Sequence, residues 1–160
     1  MNALAQSLLS QAARGRMLSD RDLSEFSASE FREAIAALVS DNKIGLADAL
    51  CEAGLALHPG DPQVLSMAAL LANLHEDWTR AEDYLRELIA AQGDGHVTEF
   101  TWNMLTRVMR CQCEPLEAMS AVKTGLIYYP NSADLQREAA QLQELLGDLA
   151  AFVGPIEQRQ

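Results

Sequence analysis

The chain has 160 residues, of which 49% are hydrophobic and only 6% are aromatic, and its formal net charge at pH 7 is −11. This length corresponds to one domain or one short solenoid, and the abundance of Ala and Leu favours helices over strands. The acidic excess disfavours nucleic acid and anionic membrane surfaces as partners.

Membrane insertion and secretion are also disfavoured. No window holds the roughly 18 apolar residues that a membrane span needs, and the N-terminus lacks the basic and apolar regions of a signal peptide. The three cysteines, Cys51, Cys111 and Cys113, are an odd number that does not suit a disulfide scaffold. We therefore expect reduced thiols and a cytoplasmic protein.

Residues 1–27 are predicted to form an N-terminal helical extension. Leu4, Leu8 and Leu9 make a narrow apolar stripe on a helix that spans about residues 2–14. A short isolated helix is marginal in water, so this one needs a partner. Two alternatives are open: the helix packs on the helices that follow it, or it contacts a second subunit and forms a homodimer.

Residues 28–132 contain three similar segments, 28–61, 62–95 and 99–132. Each has a large residue at its fourth position and an alanine at its twentieth. These pairs are Phe31 and Ala47, Leu65 and Ala81, and Trp102 and Ala118. The alanines lie 34 and 37 residues apart, which places a three-residue insertion near residues 92–96.

Each segment is predicted to form two helices, and a further helix follows the last segment. The six segment helices are expected at about 28–41, 45–58, 62–75, 78–91, 98–112 and 115–129. Asp61 followed by Pro62 is a typical helix start, as is Pro115, and Asn131 or Ser132 caps the last helix.

Residues 133–153 are predicted to form a capping helix, and 154–160 a flexible tail. Leucines at 135, 142, 145, 146 and 149 recur at helical spacing, while the other face is polar. A stack of helix pairs needs such a half-polar terminator to stay soluble.

The three segments resemble the tetratricopeptide repeat, a helix-turn-helix unit of 34 residues. The resemblance implies an all-α tetratricopeptide-repeat superhelix of three repeats, with an N-terminal helix and a C-terminal capping helix. Position 8, usually small, is Ile35, Ala69 and Thr106, so only the middle repeat keeps it small. The second repeat also has Gly93 where Pro is usual at position 32.

In this family the first helix of each repeat, helix A, lines a concave groove that binds a polypeptide. The resemblance implies that positions 2, 5, 9, 12 and 13 face this groove. The groove residues expected on this basis are Arg32, Ala36, Val39, Gln63, Ser66, Leu70, Asn73, Leu74, Phe100, Asn103, Arg107 and Arg110, with Ser29, Ser40 and Cys111 beside them. Arg107 and Arg110 either bind the client or form salt bridges with Glu99, Glu114 or the last helix.

Two subclasses of the family can be compared with this chain. Repeats that clamp the C-terminal carboxylate of heat-shock chaperones need basic and Asn residues at five groove positions, and only Arg32 fits. The whole layout resembles the class II chaperones of type III secretion, which hold a translocator polypeptide in the groove and often form dimers. The alternative is an adaptor or scaffold subunit of a secretion or pilus assembly machine.

Catalysis and cofactor binding find little support in the sequence. Cys111-x-Cys113 lacks the second pair that a zinc site usually shows, although a thiol or metal protein remains a third hypothesis. His58, His75 and His96 are scattered and have no nucleophile and carboxylate at triad spacing. We expect no enzyme activity, no cofactor and no metal.

Overall fold

The computed structural model describes residues 3–12 and 23–153, and these residues form eight α-helices. The helices are α1 (Ala3–Ala12), α2 (Ala28–Ser40), α3 (Ile44–Leu57), α4 (Pro62–Leu74), α5 (Trp78–Gln92), α6 (Glu99–Cys111), α7 (Pro115–Tyr128) and α8 (Ala133–Val153). The predicted bounds of the other seven helices are confirmed to within about three residues, whereas the predicted ends of the first helix, at about 2 and 14, lie outside the described residues. The tail predicted at 154–160 lies outside the described residues.

The first of two compact units, Met1–Gly93, contains α1 to α5. Its core includes Phe31 and Ile35 of α2, both fully buried, and Leu50 of α3. Leu4 of α1 is also fully buried in this core, and Leu8 packs against it. The structure therefore agrees with the alternative in which the N-terminal helix packs on the first repeat.

Paired helices approach each other closely in this unit. Ala47 and Ala81 are fully buried, as expected for a small residue at each crossing. Gly54 in α3 lies so near α2 and α4 that an added Cβ would be 3.0 Å from Phe31 Cδ1 and 3.2 Å from Val64 Cγ1. Small residues therefore set the distance between the helices.

Side chains cap the starts of α2, α4 and α5, whereas α3 starts after Lys43 without a side-chain cap. Ser27 and Glu30 form a capping box at the start of α2, and the two hydrogen bonds from Ser27 hold the pKa of Glu30 below its ordinary value. Asp61 accepts a hydrogen bond from the Gln63 amide at 2.8 Å, and Pro62 is the first helical residue of α4. This helix start was predicted.

The second unit, Asp94–Gln160, contains α6 to α8 after a short 3-10 helix, Asp94–His96. Trp102 and Ala118 are buried here, as the repeat pattern predicts, and Leu135 and Leu142 of α8 are fully buried. The Leu135 amide donates to Ser132 Oγ at 3.1 Å, so Ser132 caps the last helix. Leu145 and Leu149, predicted on the apolar face of this helix, are 41% and 44% exposed.

The three repeats close helix A with the same turn. Position 15 is Asn42, Glu76 or Cys113, and each has a positive φ, of 58°, 57° and 62°. The following amide bonds back to a carbonyl five residues earlier, as in the 2.8 Å bond from Lys43 to Leu38. This is the Schellman arrangement, in which one left-handed residue ends a helix.

The predicted three-residue insertion is confirmed at the 3-10 helix. Gly93 ends α5 with φ 75°. After the insertion, Val97 is fully buried and its carbonyl accepts a 2.7 Å hydrogen bond from Tyr129 Oη. The insertion therefore leaves the start of the third repeat anchored to the end of α7.

Candidate peptide-binding surfaces

In the first unit, none of the predicted groove residues of α2 and α4 is fully buried, although Val39 packs against the edge of the core. Arg32, Ala36, Gln63 and Leu74 are exposed, and Val39, Ser66, Leu70 and Asn73 are partly buried. On α2 the buried residues are on another face, which includes Phe31 and Leu38. Each helix A of this unit therefore presents one face to the core and the predicted face to solvent.

The exposed face of α4 combines apolar and polar groups. Leu74 is 48% exposed, which is high for a leucine at a helix end next to a core. Ser66 Oγ donates to the Gln63 carbonyl at 2.8 Å, so this hydroxyl can still accept a hydrogen bond. A face of this kind can contact apolar side chains and hydrogen-bond a peptide backbone.

In the second unit, α6 presents Phe100, Asn103 and Arg107. Phe100 is 66% exposed, and Arg107 is exposed as well. Asn103 Oδ1 is buried and finds no hydrogen-bond partner among residues 3–12 and 23–153. A buried acceptor without a partner costs free energy, so a hydrogen bond from an incoming N–H group to Asn103 Oδ1 would be favourable.

Arg110 and Arg107 differ in their partners. Arg110 Nη1 lies 2.9 Å from Glu138 Oε2 and donates to Gln141 Oε1 at 2.7 Å, and both partners are on α8. This is the salt bridge to the last helix that the sequence left as an alternative. Arg107 takes part in none of the salt bridges within the described part of the chain.

The three cysteines have distinct surroundings. Cys51 is buried in the first unit, whereas Cys111 and Cys113 are exposed near the end of α6. Within the described ranges, no group of three or more His, Cys, Asp and Glu side chains is arranged to hold a metal ion. Cys113 has a structural place, as the left-handed residue of the turn between α6 and α7.

Sequence reasoning missed several surface features. Leu116 and Ile127 of α7 are 68% and 74% exposed, although neither occupies a position linked to the groove. His75 lies in the turn that follows α4, and its Nε2 is 2.9 Å from Asp48 Oδ1 on α3, a contact that the sequence did not predict. The sequence does not indicate whether a neighbouring helix covers an apolar residue. The exposure of Leu116 and Ile127 could therefore not be predicted.

Comparison with solved structures confirms the tetratricopeptide-repeat fold. The chain is similar to a mutant form of MamA, with a TM-score of 0.66 and 20% identity over 77% of this chain and 70% of that one. It is similar to the first TPR of Spaghetti (RPAP3) bound to the HSP90 peptide SRMEEVD, with a TM-score of 0.68 and 15% identity over 75% of this chain and 93% of that one.

A third similar structure is the Sgt2 TPR domain from Aspergillus fumigatus, with a TM-score of 0.68 and 14% identity over 83% of this chain and 87% of that one. A scan of protein-family models and a search of curated proteins give no match. None of the helices in the described residues is long and apolar enough to cross a membrane.

Proposed function

We propose that the chain is a protein–protein interaction module that binds an extended polypeptide on the exposed faces of its A helices. The observation that carries the proposal is that none of the predicted groove residues is fully buried in either unit. The similar RPAP3 structure holds a peptide, so this fold is able to accommodate one.

The exposed groups indicate the chemistry of binding. Leu70 and Leu74 in the first unit, and Phe100 in the second, offer apolar contacts to alternate side chains of a bound chain. The amides of Asn73 and Asn103 lie beside them and can bond its backbone. Extended, apolar segments of a client that is not yet folded satisfy both sets of groups.

The client class follows from the charge and the layout. A net charge of −11 keeps a protein with exposed apolar faces soluble and repels acidic clients. With the N-terminal helix, three repeats and closing helix, this favours a cytoplasmic chaperone of the class II type III secretion kind, bound to a secreted or translocator polypeptide. A static adaptor of a secretion or pilus machine is the competing function.

Self-association through α1 belongs to the same proposal. Leu4 is already buried within its own chain, so a homodimer would use the other face of α1, where Gln6 and Ser10 are exposed. Sedimentation equilibrium of the full chain distinguishes a monomer from a dimer. A monomer at tens of micromolar would remove the dimer from the proposal and leave client binding intact.

Acidic chaperone tails are expected to be poor ligands. Among the carboxylate-clamp positions only Arg32 has a suitable side chain, and Met104, at another of them, is 7% exposed. Fluorescence polarisation with labelled SRMEEVD should therefore show no saturable binding up to about 100 μM, against the similar RPAP3 domain as a positive control. Low-micromolar binding would contradict the proposed client class.

Site-specific photo-crosslinking in the native host tests the proposal. A photoreactive amino acid replaces Leu74 or Phe100. Matched controls carry it at exposed positions on the second helix of a repeat, Glu87 of α5 and Lys123 of α7. We expect Leu74 and Phe100 to capture the same secreted polypeptide and the controls to capture none. Equal capture at all four positions would refute the surface, and capture of membrane-attached machine subunits would favour the adaptor.

A further inference from the structure

A recess lies in the first unit, among α3, α4 and α5. It is a cavity of about 290 Å³ whose lining includes Cys51 and Leu55 of α3 and Ala68, Leu71 and Ala72 of α4. Cys51, Ala68 and Leu71 are each less than 5% exposed. Small side chains on two facing helices therefore leave an apolar floor with room above it.

The mouth of this cavity is charged and mostly acidic. Asp48 binds His75 Nε2 through both carboxylate oxygens, at 2.9 and 3.0 Å. Glu52 lines the same side and is exposed. The one guanidinium in the lining, Arg80, donates to Tyr84 Oη at 3.1 Å and stands over the Tyr84 ring, 5.8 Å from its centroid.

The Cys51 thiol forms part of the cavity floor. Its burial raises the pKa of Cys51 to about 11, the nearby carboxylates of Asp48 and Glu52 add to this shift, and Arg80 opposes it. At neutral pH the Cys51 thiol stays protonated and is part of the apolar floor, not a nucleophile.

We propose that this cavity receives a lysine or arginine side chain from a partner polypeptide. The aliphatic stem of such a side chain packs on the apolar floor, and its cation remains at the mouth beside Asp48 and Glu52. An acidic side chain would be repelled. An apolar side chain would cover the carboxylates without compensating for their lost hydration.

The site is separate from the surface proposed for client binding. Ala68 and Ala72, which line the cavity, each follow a predicted groove residue, Ser66 or Leu70, by two positions. Two positions along an α-helix turn the side chain by about 200°. A partner with a basic residue can therefore bind here while a client occupies the other side of α4, which goes beyond the proposed function.

NMR titration of the ¹⁵N-labelled full chain tests the proposal. The probes are the capped tripeptides Ac-Ala-Lys-Ala-NH2 and Ac-Ala-Arg-Ala-NH2, with norleucine and glutamate in place of the basic residue as references. The variant is Glu52→Gln, and the matched control is Glu87→Gln, an exposed change on α5 outside the cavity. Both are surface substitutions that conserve size, so the fold is retained.

The basic peptides should shift the amides of Cys51, Leu71 and Arg80, and the references should not. Glu52→Gln should weaken binding about two- to fivefold, and Glu87→Gln should leave it unchanged. The proposed site would be wrong if the norleucine peptide gave equal shifts, if the shifts centred on Leu70 and Leu74, or if Glu52→Gln had no effect. Client capture at Leu74 and Phe100 is measured separately by crosslinking, so loss of the cavity site and loss of client binding are distinguishable.

Discussion

Gly125→Ala is expected to destabilise the second unit even though alanine is the better helix former. Gly125 is buried in α7, where that helix contacts α6 and α8. A Cβ on Gly125 would lie 2.9 Å from Trp102 Cβ and 3.1 Å from Leu135 Cδ1. Trp102 Cβ is fixed to the backbone of α6, so relief requires one helix to move.

The magnitude follows from two opposed effects. Replacing Gly by Ala inside a helix gains about 0.5–1 kcal/mol, and overpacking a close-packed contact costs about 1–3 kcal/mol. We expect a net loss of about 1 kcal/mol. Gly54→Ala should cost less, because its nearest neighbours, Phe31 Cδ1 and Val64 Cγ1, are outer atoms of side chains.

Urea denaturation followed by circular dichroism measures the effect, and Gly147→Ala in α8 is the matched control. A Cβ at Gly147 meets nothing within 4 Å, so this change should raise the free energy of unfolding by about 0.5–1 kcal/mol. The two variants should differ by about 2 kcal/mol. If Gly125→Ala stabilises the chain as much as Gly147→Ala does, the close contact among α6, α7 and α8 is wrong.

Three further predictions concern single residues. Cys113→Gly should stabilise the chain by up to about 1 kcal/mol in thermal melts, and Cys113→Val should destabilise it, because Cys113 has φ 62°; the reverse order would contradict the turn. Arg110→Ala should cost about 0.2–1 kcal/mol, less at high salt, because its pair with Glu138 is partly exposed; a salt-independent loss would contradict an ionic origin. At pH 8 a thiol reagent should modify Cys111 and Cys113 fast and Cys51 slowly. The pKa of Cys51 is raised from 9.0 to about 11 in the folded chain. The contribution of the Cys51 thiol to the free energy of unfolding should therefore be complete below pH 9 and be lost as the pH rises through 11. Cys51→Ala should remove this pH dependence in urea titrations.

Helix order and repeat spacing were predictable because they depend on local patterns. The alanines at position 20 recur with the repeat, and all three are fully buried where helices cross. Capping by Asp61 and Ser132 was predictable for the same reason, because a capping side chain bonds an amide two or three residues away. The insertion before the third repeat was located by the 37-residue interval between Ala81 and Ala118.

Contacts between distant residues were not predictable. The sequence left open whether Arg110 was paired, because the answer depends on where α8 places Glu138. The cavity above Cys51 arises from side chains on three helices, and no motif marks it. Left-handed turn residues at position 15 were also missed, because Asn42, Glu76 and Cys113 share no side-chain type that indicates a positive φ.

The claim that exposed A-helix side chains bind a client polypeptide can be tested by isothermal titration calorimetry with the client segment recovered by crosslinking. Leu74→Asp with Phe100→Asp should weaken binding at least about tenfold, or about 1.4 kcal/mol. Leu116→Asp with Ile127→Asp, which changes two more exposed apolar residues outside the predicted groove, should leave binding unchanged. If the α7 variant loses binding and the A-helix variant keeps it, the claim is wrong.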